Sequence, residues 1–200
     1  MKKLQESLIF LLTATLMLLL VTWVIGLGAY AQTNYVYIDQ IGDNNQISVT
    51  QSGTGHVAAV AIGASLPINN NNLQTGYGIG TTPYVGAGTS EYNNISVAQS
   101  GVGSHTTTVE LPRASSNLIT VGQEGVANHT FSISSGANTN NFNNTISATQ
   151  SGSAEKSFAL ILDGTNGATV TVQQTNPTQA NTGAMTIQCT TCGSYSYIRN

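Results

Sequence analysis

The chain has 200 residues, a formal net charge of −3 and only 6% charged residues, against about a quarter in an ordinary globular domain. Five basic residues give no footprint for a nucleic acid, and low charge also excludes the strongly charged kind of unfolded chain. A neutral sequence rich in Asn, Gly and β-branched residues favours β stacking and self-association instead.

The first 31 residues differ from the rest. Lys2 and Lys3 precede an apolar run from Leu8 to Leu27, which ends at Ala29-Tyr30-Ala31. A basic start, an apolar stretch and a small-x-small site describe a signal peptide, here expected to be removed after Ala31. The run is also long enough to span a bilayer, so an uncleaved anchor is the alternative. Contact with a membrane is expected only through this segment.

From residue 32 to 64 the first repeated phrase appears. Asn34, Val36, Ile38, Gln40 and Gly42 reappear eleven residues later as Asn45, Ile47, Val49, Gln51 and Gly53. The phrase returns as Asn93 to Gln99 and Gly101, Asn117 to Gln123 and Gly125, and Asn144 to Gln150 and Gly152. Its Asn, aliphatic and Gln positions lie two apart, so on a strand they share one face. Residues 65–92, with Pro67, Pro83 and many Gly and Asn, read as a surface loop or as a degenerate coil marked by Gln74. Coils resume over 93–176, each phrase being followed by a second alternation: HVAAVAI after Gly53, HTTTVEL after Gly101, HTFSI after Gly125 and KSFALIL after Gly152. The last unit, with Val170, Val172 and Gln174, lacks the glycine, and Pro177 follows. Residues 177–200 are expected to cap the array, as atypical terminal repeats do.

The expected fold class is all-β: a β-solenoid of stacked strand-turn-strand coils, cross-β when assembled. One two-stranded unit is marginal in water. Stacking pairs each backbone group with the layer above and below, at ~4.8 Å per layer. Inward Ile and Val then form apolar columns. Inward Asn and Gln, each costing ~1–3 kcal/mol if buried unpaired, can bond amide to amide from layer to layer.

These residues resemble the curlin repeat of bacterial curli subunits, Ser-x5-Gln-x-Gly-x2-Asn-x-Ala-x3-Gln. Asn34, Gln40, Gly42, Asn45, Ile47 and Gln51 fall on that spacing, with Asn for the first Ser and Ile for Ala. Later units keep the first half; His105 and His129 lie near the expected Asn, and the final Gln is missing. The resemblance implies a secreted subunit that polymerises end to end into an amyloid-type extracellular fibre for adhesion or biofilm matrix. Its partners would be copies of itself or a related subunit, and an outer-membrane export channel. Curli major subunits begin with a Gly/Asn-rich address for that channel, whereas here the motif starts at Asn34. The second reading is a capped, non-polymerising binding module on a cell or virus surface. The ladder residues expected to carry assembly are Asn34, Gln40, Gly42, Asn45, Gln51, Gly53, Asn93, Gln99, Gly101, Asn117, Gln123, Gly125, Asn144, Gln150 and Gly152.

Other residues suggest less. Cys189 and Cys192 form a lone CTTC, which in an exported chain reads as a local disulfide; no thioredoxin-like context or further zinc ligands accompany it. His56, His105 and His129 follow turns, either as a ladder that binds metal or senses pH or as stand-ins for Asn. Asp39 and Asp43 flank one turn, but no carboxylate pair, nucleophile elbow or Ser/His/Asp set suggests catalysis, and no cofactor is expected. Tyr35, Tyr37, Tyr195 and Tyr197 lie at the chain ends, placed to cover open coils or to meet across a junction.

Overall fold

The structure, a computed structural model, describes residues 33–40, 42–63, 90–135 and 140–200. The expected signal peptide and Gln74 lie outside the described residues. Thr33–Asn200 form one compact unit.

Among the described residues fourteen strands follow one another: β1 (Tyr35–Gln40), β2 (Gln46–Gly53), β3 (Val57–Ile62), β4 (Asn94–Gly101), β5 (Thr106–Leu111), β6 (Arg113–Ser115), β7 (Leu118–Gly125), β8 (His129–Ser135), β9 (Asn140–Phe142), β10 (Thr145–Gly152), β11 (Lys156–Leu162), β12 (Thr169–Gln174), β13 (Asn181–Ile187) and β14 (Ser194–Arg199). They build a β-solenoid of about five turns. One six-stranded sheet has the order β1-β3-β5-β8-β11-β13, the other β14-β12-β10-β7-β4-β2, and β6 with β9 makes a short third side. All the paired strands are parallel. The strand after each glycine therefore does not fold back on its predecessor as a hairpin would. It crosses to the opposite sheet and pairs with the same strand of the neighbouring turn.

The repeated phrase forms the second sheet in perfect register: Ile47, Ile95, Ile119, Ile146 and Val170 stack, as do Val49, Val97, Val121, Ala148 and Val172. They face Val60, Val109, Ile133 and Leu160 of the first sheet across one continuous core. Burial alternates along β7 and β10, inward positions buried and outward ones mostly exposed, as period-2 patterning requires. β2 pairs directly with β4, and β3 with β5. No layer is intercalated between them.

Glycine is needed at the corner because of this close layering. Gly101 has φ 117°, and a Cβ there would overlap the carbonyl oxygen of Gly125 in the next turn. Neither the dihedral nor the space admits an ordinary L side chain.

Among the described residues, no helix is long and apolar enough to cross a membrane.

Candidate functional site

The polar side chains inside the solenoid form three columns. In the first, Asn93 Nδ2 donates to Asn45 Oδ1 (2.9 Å), Asn117 Nδ2 to Asn93 Oδ1 (2.9 Å) and Asn144 Nδ2 to Asn117 Oδ1 (2.9 Å). The same oxygens also accept the backbone N–H of the next asparagine. The second amide proton of each Asn goes to a corner carbonyl, those of Ser90, Ala114, Asn141 and Thr165. The residue before each Asn is left-handed: Asn44, Tyr92, Ser116 and Asn143 have φ of 58, 58, 58 and 52°. That conformation is costly outside glycine, and the corner bonds of the neighbouring Asn help to hold it. The column ends where Ala168 replaces Asn; its N–H closes the last acceptor, Asn144 Oδ1, at 2.9 Å.

The glutamine column runs with opposite polarity. Gln51 Nε2 donates to Gln99 Oε1 (2.8 Å), Gln99 to Gln123 (2.9 Å), Gln123 to Gln150 (2.8 Å) and Gln150 to Gln174 (2.7 Å). Each also donates across the core to the facing sheet, to the carbonyls of Tyr35, Val57, Thr106, Thr130 and Ser157. Thr107 adds a hydroxyl donor to Gln123 Oε1 at 2.8 Å. The columns thus tie layer to layer, and the glutamines also tie sheet to sheet. Because an unpaired buried amide is costly, register is set by polarity as well as by shape.

The third column is imidazole. His56, His105 and His129 stack face to face with ring centroids 4.9 and 4.8 Å apart. All three are fully buried. Their Nε2–H groups donate to the carbonyls of Ser52, Ser100 and Glu124, and Nδ1 of His56 and His105 accepts the N–H of the following histidine. This bonding fixes the neutral Nε2–H form. Burial, reinforced by the neighbouring imidazoles, holds His105 down at about 4 from an ordinary 6.5; His129 is lowered too, chiefly by burial and partly by Lys156. With Nε2 occupied throughout and two of three Nδ1 atoms engaged, the ladder is not presented to a metal, and no metal-holding cluster occurs among the described residues.

The expected ladder residues are therefore distributed over different columns. Asn45, Asn93, Asn117 and Asn144 share one, and Gln51, Gln99, Gln123 and Gln150 another. Gly53, Gly101, Gly125 and Gly152 share the corner after the glutamines, whereas Gly42 lies against Ser90 at the opposite corner. Asn34 heads the imidazole column: its Oδ1 accepts the N–H of His56 and its Nδ2 donates to Gly53. Gln40 aligns with Ile62 at the top of an aliphatic column, where no described layer offers it an amide. Both differences have one cause: β1 belongs to the first sheet and the later phrases to the second.

Two features escaped the sequence reading. Lys156 occupies the imidazole position one layer beyond His129. It is fully buried, donates to the carbonyls of Asn176 (2.7 Å) and Gln179, and has its basicity lowered by burial. The signal was available: Lys156 follows Gln150 at the same spacing as His129 follows Gln123. A third corner also repeats, with Ala114 N–H on Ser90 Oγ and Thr165 N–H on Asn141 Oδ1, but its residues share no common type.

At the C-terminal end, Tyr195 and Tyr197 align with Val170 and Val172 and turn inward over the core. The Tyr197 ring lies 4.8 Å from Phe158 and fills the space left by Gly183, while its hydroxyl donates to Thr182. Tyr35 and Tyr37 instead align with Val57 and Ala59, away from the interior columns. Cys189 and Cys192 are bonded to each other across a Cα separation of 5.4 Å.

Parallel layers, continuous cores and polar ladders define a repeat-built β-solenoid. The family model described as curlin associated repeat matches residues 30–63, the stretch that contains β1 to β3, and supports a relationship of that stretch to the curlin repeat. No curated protein and no solved structure matches the chain.

Proposed function

We propose that the protein is a secreted structural subunit that assembles with copies of itself, coil upon coil, into a curli-like extracellular amyloid fibre serving adhesion or biofilm matrix. The observation that carries this reading is the open N-terminal end. There the inward faces of β1 and β2 have no further layer among the described residues, Val36 and Ile38 are 51% and 46% exposed, and Gln51, Ile47 and Val49 are only partly covered. Two edge strands with unpaired backbone groups and matching side-chain columns form a template for strand addition. In this reading the Asn and Gln columns hold the register within each subunit, and the Gln column passes it to the next. The first 31 residues direct export and are removed, and an outer-membrane channel passes the chain to the cell surface.

The test is assembly of residues 32–200, which contain the whole compact unit. Thioflavin fluorescence that rises with time, fibres in electron micrographs and a meridional ~4.8 Å reflection support the proposal. A stable monomer at high concentration rejects it. The second reading, a capped solenoid that binds a surface receptor or glycan, draws on Tyr197 closing over Gly183 at the other end. It requires that monomer.

A further inference from the structure

The two ends of the solenoid are chemically complementary. Stacking a second copy in register would lay its β2 on β14 and its β1 on β13, because β2 and β14 are the free edges of one sheet and β1 and β13 those of the other. Chain order alternates between the two six-stranded sheets, and a chain ending in β14 is continued correctly by one beginning with β1. The pairings fix which side chains would meet. Gln51, Gln99, Gln123, Gln150, Gln174 and Arg199 occupy one column. Arg199 is therefore the terminal member of the glutamine ladder, and Gln51 is its first.

At one end Gln51 uses both amide protons, on Gln99 Oε1 and the Tyr35 carbonyl. What it presents outward is the acceptor, Oε1. At the other end Gln174 turns its own protons to Ser157 and Asn181, and the next layer offers the Arg199 guanidinium, a group of donors without an acceptor. Arg199 is exposed, stands 5.9 Å from the Tyr197 ring centroid, and its backbone carbonyl is held by Thr175. In the same column order Tyr195 follows Val170 and Tyr197 follows Val172, so the tyrosines would meet the partly buried Ile47 and Val49 of the next copy.

We propose that Arg199 of one copy donates to Gln51 Oε1 of the next, so that a charged donor joins the glutamine ladders of successive subunits while Tyr195 and Tyr197 seat on Ile47 and Val49. The junction rests on the fibre reading above and specifies its chemistry. It is directional: donors at the C-terminal face, acceptor and apolar shelf at the N-terminal face.

The test compares Arg199→Gln and Arg199→Glu with the parent protein. Arg199→Gln keeps a donor and extends the ladder, so seeded elongation stays within roughly twofold of the parent. Arg199→Glu sets acceptor against acceptor, and elongation falls by roughly tenfold or more. Both monomers should melt with the parent, because the side chain is exposed in the free subunit. Fibres grown from a mixture of subunits, one ¹⁵N-labelled at arginine and the other ¹³C-labelled at glutamine, should give a magnetisation transfer from guanidinium nitrogen to Gln Cδ that Arg199→Gln abolishes. If fibres form but Arg199→Glu elongates like the parent, or the transfer persists in Arg199→Gln, the junction is wrong and the fibre reading stands. If no fibres form, both fall.

Discussion

The two ends of this solenoid are built from the same repeat and finished differently. At the N-terminal end the first inward positions are ordinary repeat aliphatics, Val36 and Ile38, and they are half exposed. At the C-terminal end the last repeat aliphatics of the second sheet, Val170 and Val172, are 1% and 0% exposed, because Tyr195 and Tyr197 cover them. The polar columns differ likewise. Asn45 and Gln51 are only partly covered, whereas the asparagine column is closed by Ala168 and the glutamine column by Gln174 bonding back to Ser157 and Asn181. One end keeps the interior of a coil available and the other replaces it with aromatic cover. In a stack of like layers, cohesion within the subunit is greatest in the middle, and each end retains only what its terminal layer supplies.

The sharpest way to break this comparison is to cut the same ladder at two heights. Gln123→Ala removes the acceptor of Gln99 and Thr107 and the donor to Gln150 and Thr106 in a fully buried layer. It should destabilise the monomer by roughly 3 kcal/mol or more, measured by chemical denaturation followed by circular dichroism. Gln51→Ala, in the open layer, should cost the monomer well under half of that and slow fibre growth instead. Equal losses of stability would mean that the ends are not distinct.

Removing the aromatic cover tests the other end. Tyr197→Ala exposes Phe158 and Val172 and leaves Gly183 facing a void, for an expected loss of about 2 kcal/mol. A thermal melt unchanged by this substitution would show that the ring does not close the core.

Acidification below neutral pH should weaken the histidine layers. Below about 6.5 the unfolded chain takes up protons that folded His105 refuses until about 4. Its contribution is therefore full above 6.5 and is lost as the pH falls between those values. A proton on Nδ1 would also oppose the N–H of His129 that now bonds to it. The melting temperature should drop across that window, and His105→Asn should flatten the profile. An unchanged slope in His105→Asn would remove the imidazole column as the cause.

The smallest effect is expected at the open shelf. Ile38→Ser alters a residue 46% exposed and should change monomer stability by less than ~0.5 kcal/mol, while elongation slows measurably. A large loss of monomer stability would show that the shelf is already covered in the free subunit.

Particular residues show where sequence and structure divide the information. The Asn-x-Ile-x-Val-x-Gln-x-Gly phrase states its own inward face, and a period of two with one fixed corner glycine leaves few folds besides stacked parallel coils. The glutamine column could be read directly, since identical residues at matching positions have one another as natural partners. Asn34 and Gln40 could not, because they repeat the same letters in the opposite sheet; only the crossing of the chain at Gly42 puts Asn34 over His56 and Gln40 over Ile62. Lys156 carries a charge that patterning assigns to solvent, yet carbonyls of the Asn176–Gln179 turn receive it inside. The direct pairing of β2 with β4 across 40 intervening residues likewise appears in no local pattern.

By itself the sequence determined the periodicity, the inward face and the residues able to bond in columns, because these depend on local alternation and on side-chain chemistry. Tertiary structure decided which sheet each copy joins, the opposite polarity of the two amide ladders, the burial of the histidines and the difference between the ends. Those depend on which layer lies next, and a repeat that fits every layer equally well contains no record of its own neighbours.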